Sequence, residues 1–302
     1  MEILTLSEYL KREFGQKVYK LSLSSGCTCP NRDGTIGTGG CTFCSAGGSG
    51  EFAQPFADEN LIGVEIERAK ALVRRKLPAN AAEADEKYIA YFQSYTNTYG
   101  DTDRLTRLYR KTMERPDIVA LSVGTRPDCL EDDKIRMLSE LNQIKPVWVE
   151  LGLQTANDRT AERIHRGYET CVFADCYRRL KAAHLTVIVH VILGLPGESR
   201  EDMLDTIRYL VHLEPALNGI KLQMLNILEG SSLAEEYRRH PFPQMSAEEY
   251  CDLVVECLKL LPKGTVIHRM TGDGPRKLLI SPSWVTDKKR VINLLRRKIE
   301  EA

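Results

Sequence analysis

The run Val18-Tyr19-Lys20-Leu21-Ser22-Leu23, the loop Ser24-Ser25-Gly26-Cys27-Thr28-Cys29-Pro30-Asn31-Arg32-Asp33-Gly34 after it, and the continuation Gly39-Gly40-Cys41-Thr42-Phe43-Cys44 decide how this chain folds. The first run has the β-branched and aromatic alternation of a strand. It does not lead into the Gly-rich phosphate turn that closes the first strand of an open dinucleotide-binding sheet. A loop over residues 24–50, with four of the chain's nine cysteines, stands in its place.

Outward from this point, residues 88–93, 118–123, 147–153, 187–193 and 219–225 also read as strands. Charged amphipathic stretches near residues 58–76, 103–115, 131–143, 157–183 and 199–213 predict helices between them. Strand and helix in alternation mean parallel strands joined by helical crossovers. With a long loop after the first strand, this predicts an α/β fold, a partial (β/α)6 barrel whose chemistry gathers where strands end. The barrel with its loop 24–50 is expected over residues 12–228. Residues 229–302 are expected to form a C-terminal helical and β extension: a helix from about Ser246 to Leu261, the segment from Val266 to Pro275, and a basic amphipathic helix.

Fully buried parallel strands should be apolar on both faces. Here Glu150 shares a face with Gln154, His190 with Ile188 and Ile192, and Lys221 with Gln223. Each alone is accounted for by a satisfied buried group or a strand end. Together they predict a polar lumen that holds a ligand.

Of 302 residues, 42% are hydrophobic, enough for a sizeable core, and 42 basic residues balance 42 acidic ones. Overall charge therefore announces no nucleic-acid or membrane partner, and any such binding must come from local patches. The N-terminus carries no basic flank followed by an apolar stretch, and no run approaches a membrane span, which predicts a cytoplasmic chain without a membrane partner. Nine cysteines, an odd count, argue against a disulfide framework and for metal or redox chemistry.

A C-x-x-C pair closes a tight turn, and a further cysteine returned by glycines completes a three-point grip. Three thiolates on a four-iron cluster leave one iron open for chemistry. The rival is a closed Cys₄ zinc site at Cys27, Cys29, Cys41 and Cys44, although C-x-C is short for a zinc knuckle. Spacing alone leaves both open, along with ordinary packing or redox cysteines.

These blocks, with Tyr91-Phe92-Gln93, Thr125-Arg126-Pro127-Asp128-Cys129, Glu150-Leu151-Gly152-Leu153-Gln154-Thr155 and Gly194-Leu195-Pro196-Gly197-Glu198, resemble the radical S-adenosylmethionine superfamily, specifically its Elongator-like YhcC/YtqA group, over about residues 12–280. The resemblance implies a [4Fe-4S] cluster on Cys29, Cys41 and Cys44, spaced C-x₁₁-C-x₂-C, with a non-cysteine usual at the place of Cys27. It further implies that S-adenosylmethionine chelates the open iron and is cleaved to a 5′-deoxyadenosyl radical, with an electron donor such as flavodoxin or ferredoxin.

Position within that resemblance suggests roles. Phe43 is either an aromatic beside the adenine or a hydrophobic plug. Gln93, Glu150, Gln154 and His190 face the lumen as cofactor contacts. Arg166 is a bidentate partner for a carboxylate or an exposed helix-end arginine. Gly194 and Gly197 let backbone approach the adenine. Arg126, Asp128 and Lys221 are the catalytic candidates, with Asp128 equally placed to cap the helix beginning near Glu131. Tyr95, His268 and Arg269 are the substrate-binding candidates, Tyr95 or Tyr99 by stacking. Cys129 is a radical-relay thiol or a packing residue, and Cys171, Cys176, Cys251 and Cys257 read as packing.

The branch most resembled, with Phe43-Cys44-Ser45-Ala46, Gly48-Ser49-Gly50 and Thr271-Gly272-Asp273-Gly274-Pro275, is associated with remodelling the 5-aminomethyl-type side chain of tRNA wobble uridine. A tRNA partner, and a methyltransferase acting on the product, are therefore expected; a small metabolite or protein substrate is the alternative, and a non-catalytic zinc-stabilised nucleic-acid-binding protein a second. Arg74-Arg75-Lys76, Arg104 with Arg107 and Arg110, Arg178-Arg179 with Lys181, Lys288-Lys289-Arg290 and Arg296-Arg297-Lys298 would track phosphates or form solvated helix faces. Relatives tend to carry Lys-x-His-x-x-His after the sixth strand. Here Lys221-Leu222-Gln223-Met224-Leu225-Asn226 keeps the lysine and lacks both imidazoles.

Overall fold

In the computed structural model, which describes residues 1–48, 50–75, 86–272 and 274–302, the elements in chain order are β1 (Leu4–Thr5), α1 (Leu6–Phe14), β2 (Val18–Leu23), α2 (Ile62–Arg74), β3 (Lys87–Phe92), α3 (Thr102–Met113), β4 (Ile118–Thr125), α4 (Asp132–Asn142), β5 (Val147–Gln154), α5 (Asp158–Arg163), α6 (Thr170–Ala182), β6 (Thr186–Leu193), α7 (Arg200–Val211), β7 (Gly219–Met224), β8 (Ile227–Leu228), α8 (Ser232–Arg239), α9 (Ala247–Leu260), β9 (Val266–Arg269), β10 (Leu279–Ser281) and α10 (Lys288–Glu301). Ser49, Lys76 and Asp273, which belong to stretches quoted above, lie outside the described residues.

All six expected strands are present and parallel, in the order β7-β6-β5-β4-β3-β2. Two short strands extend that curled half-barrel to eight: β9 pairs with β7, and β1 pairs with β9. Runs of two and four residues are too short to show a period. The expected helix over 157–183 is two helices, because His165 (φ 53°) and Gly167 (φ 83°) take left-handed backbone between α5 and α6. Helix α1 had a readable signal that the alternation of longer elements hides: Thr5 and Glu8 form a capping box, and Gly15 (φ 71°) ends the helix.

The strands are buried on both faces but by different chemistry. Outward residues such as Leu21, Phe92, Leu121, Val149, Val189 and Leu222 join the helices in one apolar core. At the bottom of the inner face, Val18, Ile89, Ala120, Trp148 and Ile188 meet Leu10 of α1, with Leu6, Tyr9 and Phe14 packed around them. Helix α1 thus plugs the half-barrel at the N-terminal ends of its strands, and the inner face above that plug turns polar. Leu10→Ala should lower the unfolding free energy by about 2–4 kcal/mol in denaturant titrations while the bound iron per chain stays unchanged.

Candidate active site

The cysteine loop is closed by the two residues after Cys29-Pro30. Asn31 Nδ2 donates to the His165 carbonyl at 2.5 Å and to Cys41 Sγ at 3.6 Å. Arg32 Nη2 donates to the Cys44 and Ser45 carbonyls at 2.9 and 2.6 Å. The eleven residues separating Cys29 from Cys41 are thereby folded back on themselves. Gly40 takes left-handed backbone (φ +75°), which favours glycine, and a Cβ there would crowd Arg32 Nε at 2.8 Å. Across the loop, Tyr95 N donates to the Gly48 carbonyl at 2.9 Å and Tyr95 Oη to the Ala46 carbonyl at 2.5 Å.

Cys29, Cys41 and Cys44 carry free thiols and line one cavity of about 480 Å³ over the C-terminal ends of the strands. Burial, with the Cys44 thiol beside it, pushes the Cys41 thiol up to about 12. Cys27 is buried elsewhere: its Sγ accepts from Arg104 Nη2 at 3.2 Å and it packs in the outer core. Among the described residues no three His, Cys, Asp or Glu side chains are gathered tightly enough for a single metal ion. The four-cysteine zinc site therefore lacks its first member. Three cavity-facing thiols with N–H donors around them fit the grip of a cluster that leaves one iron open.

Beneath them, the lumen is organised by Glu150 of β5, whose side chain is wholly buried. Lys20 Nζ of β2 and Ser122 Oγ of β4 donate to its Oε1 at 2.5 and 2.7 Å. His190 Nε2 of β6 bonds its Oε2 at 2.7 Å, and Lys221 Nζ of β7 donates to the same oxygen. Burial alone would raise the Glu150 carboxyl, yet Lys20 and Lys221 hold it well below the usual carboxylate range. Burial pushes Lys221 down to about 7 despite Glu150, and burial with Lys221 pushes His190 down to about 4. His190 is thus neutral near pH 7.

This geometry meets the comparisons with known proteins. Residues 28–210 match the family model described as Radical SAM superfamily, and residues 217–301 match the Radical_SAM C-terminal domain. The chain belongs to the radical SAM superfamily. It is 38% identical to YtqA of Bacillus subtilis over 296 residues, 98% of this chain and 89% of that one. It is 37% identical to YhcC of Escherichia coli over 276 residues, 91% of this chain and 85% of that one. The archaeal Elp3 of Methanocaldococcus infernus shares the fold, with a TM-score of 0.65 at 18% identity, over 93% of this chain and 63% of that one. The superfamily's cofactors are a [4Fe-4S] cluster and S-adenosylmethionine.

Within this radical SAM cavity the structure brings together Phe43, Gln93, Tyr95, Arg126, Glu150, Gln154, Arg166, His190, Lys221 and Arg269. Gln154 is held in left-handed backbone (φ 63°) beyond a register shift in β5, which turns its amide over the lumen, where Tyr168 Oη donates to it at 3.2 Å. Phe43, like Ile192, packs against the apolar cluster that includes Ile164, Leu195 and Leu225 while also facing the cavity.

Other expectations change. Arg166 is neither exposed nor available to a carboxylate ligand. Its Nε donates to the Tyr168 carbonyl at 2.9 Å, its Nη1 to the Leu153 and Thr155 carbonyls at 2.8 and 2.6 Å, and its Nη2 to Asp158 and Thr170 at 3.1 and 3.2 Å. These bonds knot the turn after β5. Asp128 does not cap α4: it takes both Arg126 Nε and Nη2, at 2.9 and 2.7 Å. The guanidinium groups of Arg126 and Arg166 lie 4.9 and 4.5 Å from the Tyr168 ring centre. Gly194 (φ +90°) packs against Met245 and Met224 and does not itself line the cavity. His268 sits edge-on to Trp148 at 5.5 Å, below the cavity.

Lys20, Tyr91, Ser122 and Tyr168 are site residues that the sequence reading misses. For the first three the signal existed, because the period that selects Glu150 also puts Lys20 above Val18, Tyr91 above Ile89 and Ser122 above Ala120. Among the described residues no helix is long and apolar enough to cross a membrane.

Lys221 yields a pH test. Between about pH 7 and the ordinary lysine value of 10.5 the unfolded chain holds a proton that the folded chain has released, so stability rises with pH across that window. Unfolding free energies measured from pH 7 to 10 should climb in the native protein, and Lys221→Met should flatten part of that climb.

Proposed function

We propose that this radical SAM enzyme binds its [4Fe-4S] cluster through Cys29, Cys41 and Cys44 and modifies the 5-position side chain of a tRNA wobble uridine. The observation that carries the first half is the sharing of one cavity wall by those three thiols while Cys27 is turned onto Arg104. When bound, the cluster and S-adenosylmethionine together supply a 5′-deoxyadenosyl radical. The chain's own residues do the rest. Phe43, Ile192 and Leu225 give the cavity an apolar wall, Gln93 and Gln154 offer amides at strand ends, and Arg126 is held rigid by Asp128. Glu150, His190 and Lys221 line the same cavity, Glu150 and Lys221 buried and His190 largely so, which limits water beside them.

The tRNA half rests on the likeness to the YhcC/YtqA branch. A small-metabolite or protein substrate remains the second reading, favoured by the condition of the basic clusters. Arg74 pairs with Glu86, Arg107 with Glu59, Arg179 with Asp132, Arg290 with Glu248, and Lys298 with Asp252. Arg104 is turned inward onto the Ser25 carbonyl and Cys27. Much of the charge expected to follow phosphates is already partnered. The tRNA reading places the protein in the cytoplasm, with an electron donor such as flavodoxin or ferredoxin and a methyltransferase acting on the product.

Anaerobic reconstitution should give a brown protein with about four irons that forms 5′-deoxyadenosine after reduction. Ala at Cys29, Cys41 or Cys44 should abolish iron binding while Cys27→Ala retains it; the reverse result at Cys27 and Cys29 overturns the ligand assignment. Nucleosides from a deletion strain should show altered wobble uridines by mass spectrometry, and an unchanged profile across growth conditions favours the metabolite reading.

A further inference from the structure

The deep end of the lumen gathers two ammonium groups on one carboxylate. Lys20 and Lys221 both bond Glu150, and His190, which bonds the same carboxylate, is neutral. Glu150 is ionised, so His190 Nε2 is the donor and its Nδ1 is a bare acceptor. With Lys221 protonated, the set carries a surplus positive charge in a place where Lys221 is only 4% exposed. A buried charge without its counter-ion is costly, and proteins keep one chiefly where a ligand supplies that partner. Lys221 has three donors. One goes to Glu150 and one to Tyr91 Oη at 3.2 Å, which leaves one without a protein acceptor among the described residues.

Lys221 also lines the cavity, with Gln223 and Arg269 on the same stretch of wall. Arg269 Nη1 donates to Gln223 Oε1 at 3.2 Å, which turns that amide's acceptor toward the arginine. Both elements beside Lys221 thus present donor chemistry or a fixed amide. We propose that Lys221 forms the base of a subsite for a singly charged carboxylate on the molecule bound in this cavity, with Gln223 and Arg269 beside it. A carboxylate offers two oxygens, which Lys221 Nζ and a neighbouring donor can share. The low affinity of Lys221 for its proton agrees with this, because the missing anion is what would restore it. The carboxylate is the substrate's, because that of S-adenosylmethionine is engaged at the open iron above. The subsite rests on this cavity being the active site and not on tRNA being the substrate.

The test uses reconstituted holoenzyme, kept oxygen-free and carrying lysine labelled with ¹³C at the ε position. The Lys221 resonance is identified by its loss in Lys221→Met. Its titration is followed with acetate and with uncharged acetamide. The charged and titratable groups facing it are Lys20 on β2, Tyr91 on β3, Glu150 on β5, His190 on β6, and His268 and Arg269 on β9. Acetate should move the Lys221 midpoint above about 7, and acetamide should leave it in place. Lys221→Met should weaken acetate binding by about tenfold or more, while Tyr91→Phe, which changes no charge, retains it. The acetate response should survive saturating S-adenosylmethionine; its abolition by the cofactor overturns the assignment to the substrate. Acetate that leaves the Lys221 midpoint unmoved, or that binds Lys221→Met as it binds the native chain, overturns the proposal. Because acetate binding needs no turnover, a protein that answers acetate but never forms 5′-deoxyadenosine would refute the radical reading and leave the subsite standing.

Discussion

A single buried carboxylate holds the inner face of this half-barrel together. Parallel strands covered on both sides ordinarily present apolar residues inward, and replacing them with polar ones is costly unless every group finds a partner. Glu150 meets that demand for five strands at once, taking Lys20 from β2, Ser122 from β4, His190 from β6 and Lys221 from β7 onto β5. The strands are staggered, with Glu150 paired to Gly124 and Ile188 while His190 pairs with Lys221, so these side chains converge on Glu150 from successive rows, above the apolar plug. Removing the carboxylate would leave two ammonium groups facing each other in a space that excludes water.

The upper half of the site is built on a different principle, the anchoring of loops to strand ends. Arg166 spends its donors on backbone carbonyls of the turn after β5, and that turn in turn offers the His165 carbonyl to Asn31 and the Ile164 carbonyl to Thr42. The cysteine loop is therefore pinned to the same rigid turn that positions Gln154 and Tyr168. Functional groups held this way keep their geometry without relying on the cofactor to impose it.

Much of the fold was legible because it arises from long alternating segments. The six central strands, the crossover helices and the three-thiol loop all carry strong local patterns. The polar lumen was legible for the same reason, since Glu150, His190 and Lys221 break an apolar face at a regular period. The completing pieces were not. Strands β1 and β9 are stabilised by neighbours distant in sequence, and the break between α5 and α6 depends on left-handed backbone at a histidine as well as a glycine. Arg166 shows the limit of reading function from residue type: a guanidinium suits a carboxylate ligand, but five nearby acceptors claimed it for the turn. Cys27 shows the same limit, because spacing cannot tell which of two cysteines in C-x-C faces the cavity.

The departure at Gln223 and Asn226 acquires a structural context without being explained away. Gln223 bonds Arg269, and Asn226 packs beneath Gly272 and Gly274, where a Cβ at either glycine would meet its amide at 3.0 and 2.9 Å. Both positions carry amides, which do not titrate, so among these strand-end residues the titratable groups of the lumen are Glu150, His190 and Lys221. The most direct test of the whole account is iron-edge anomalous diffraction from crystals of the reconstituted protein grown without oxygen. It predicts a four-iron peak bounded by the sulfurs of Cys29, Cys41 and Cys44 above the Glu150 lumen, with Cys27 still against Arg104. Iron bound through Cys27, or a peak outside this cavity, would contradict it.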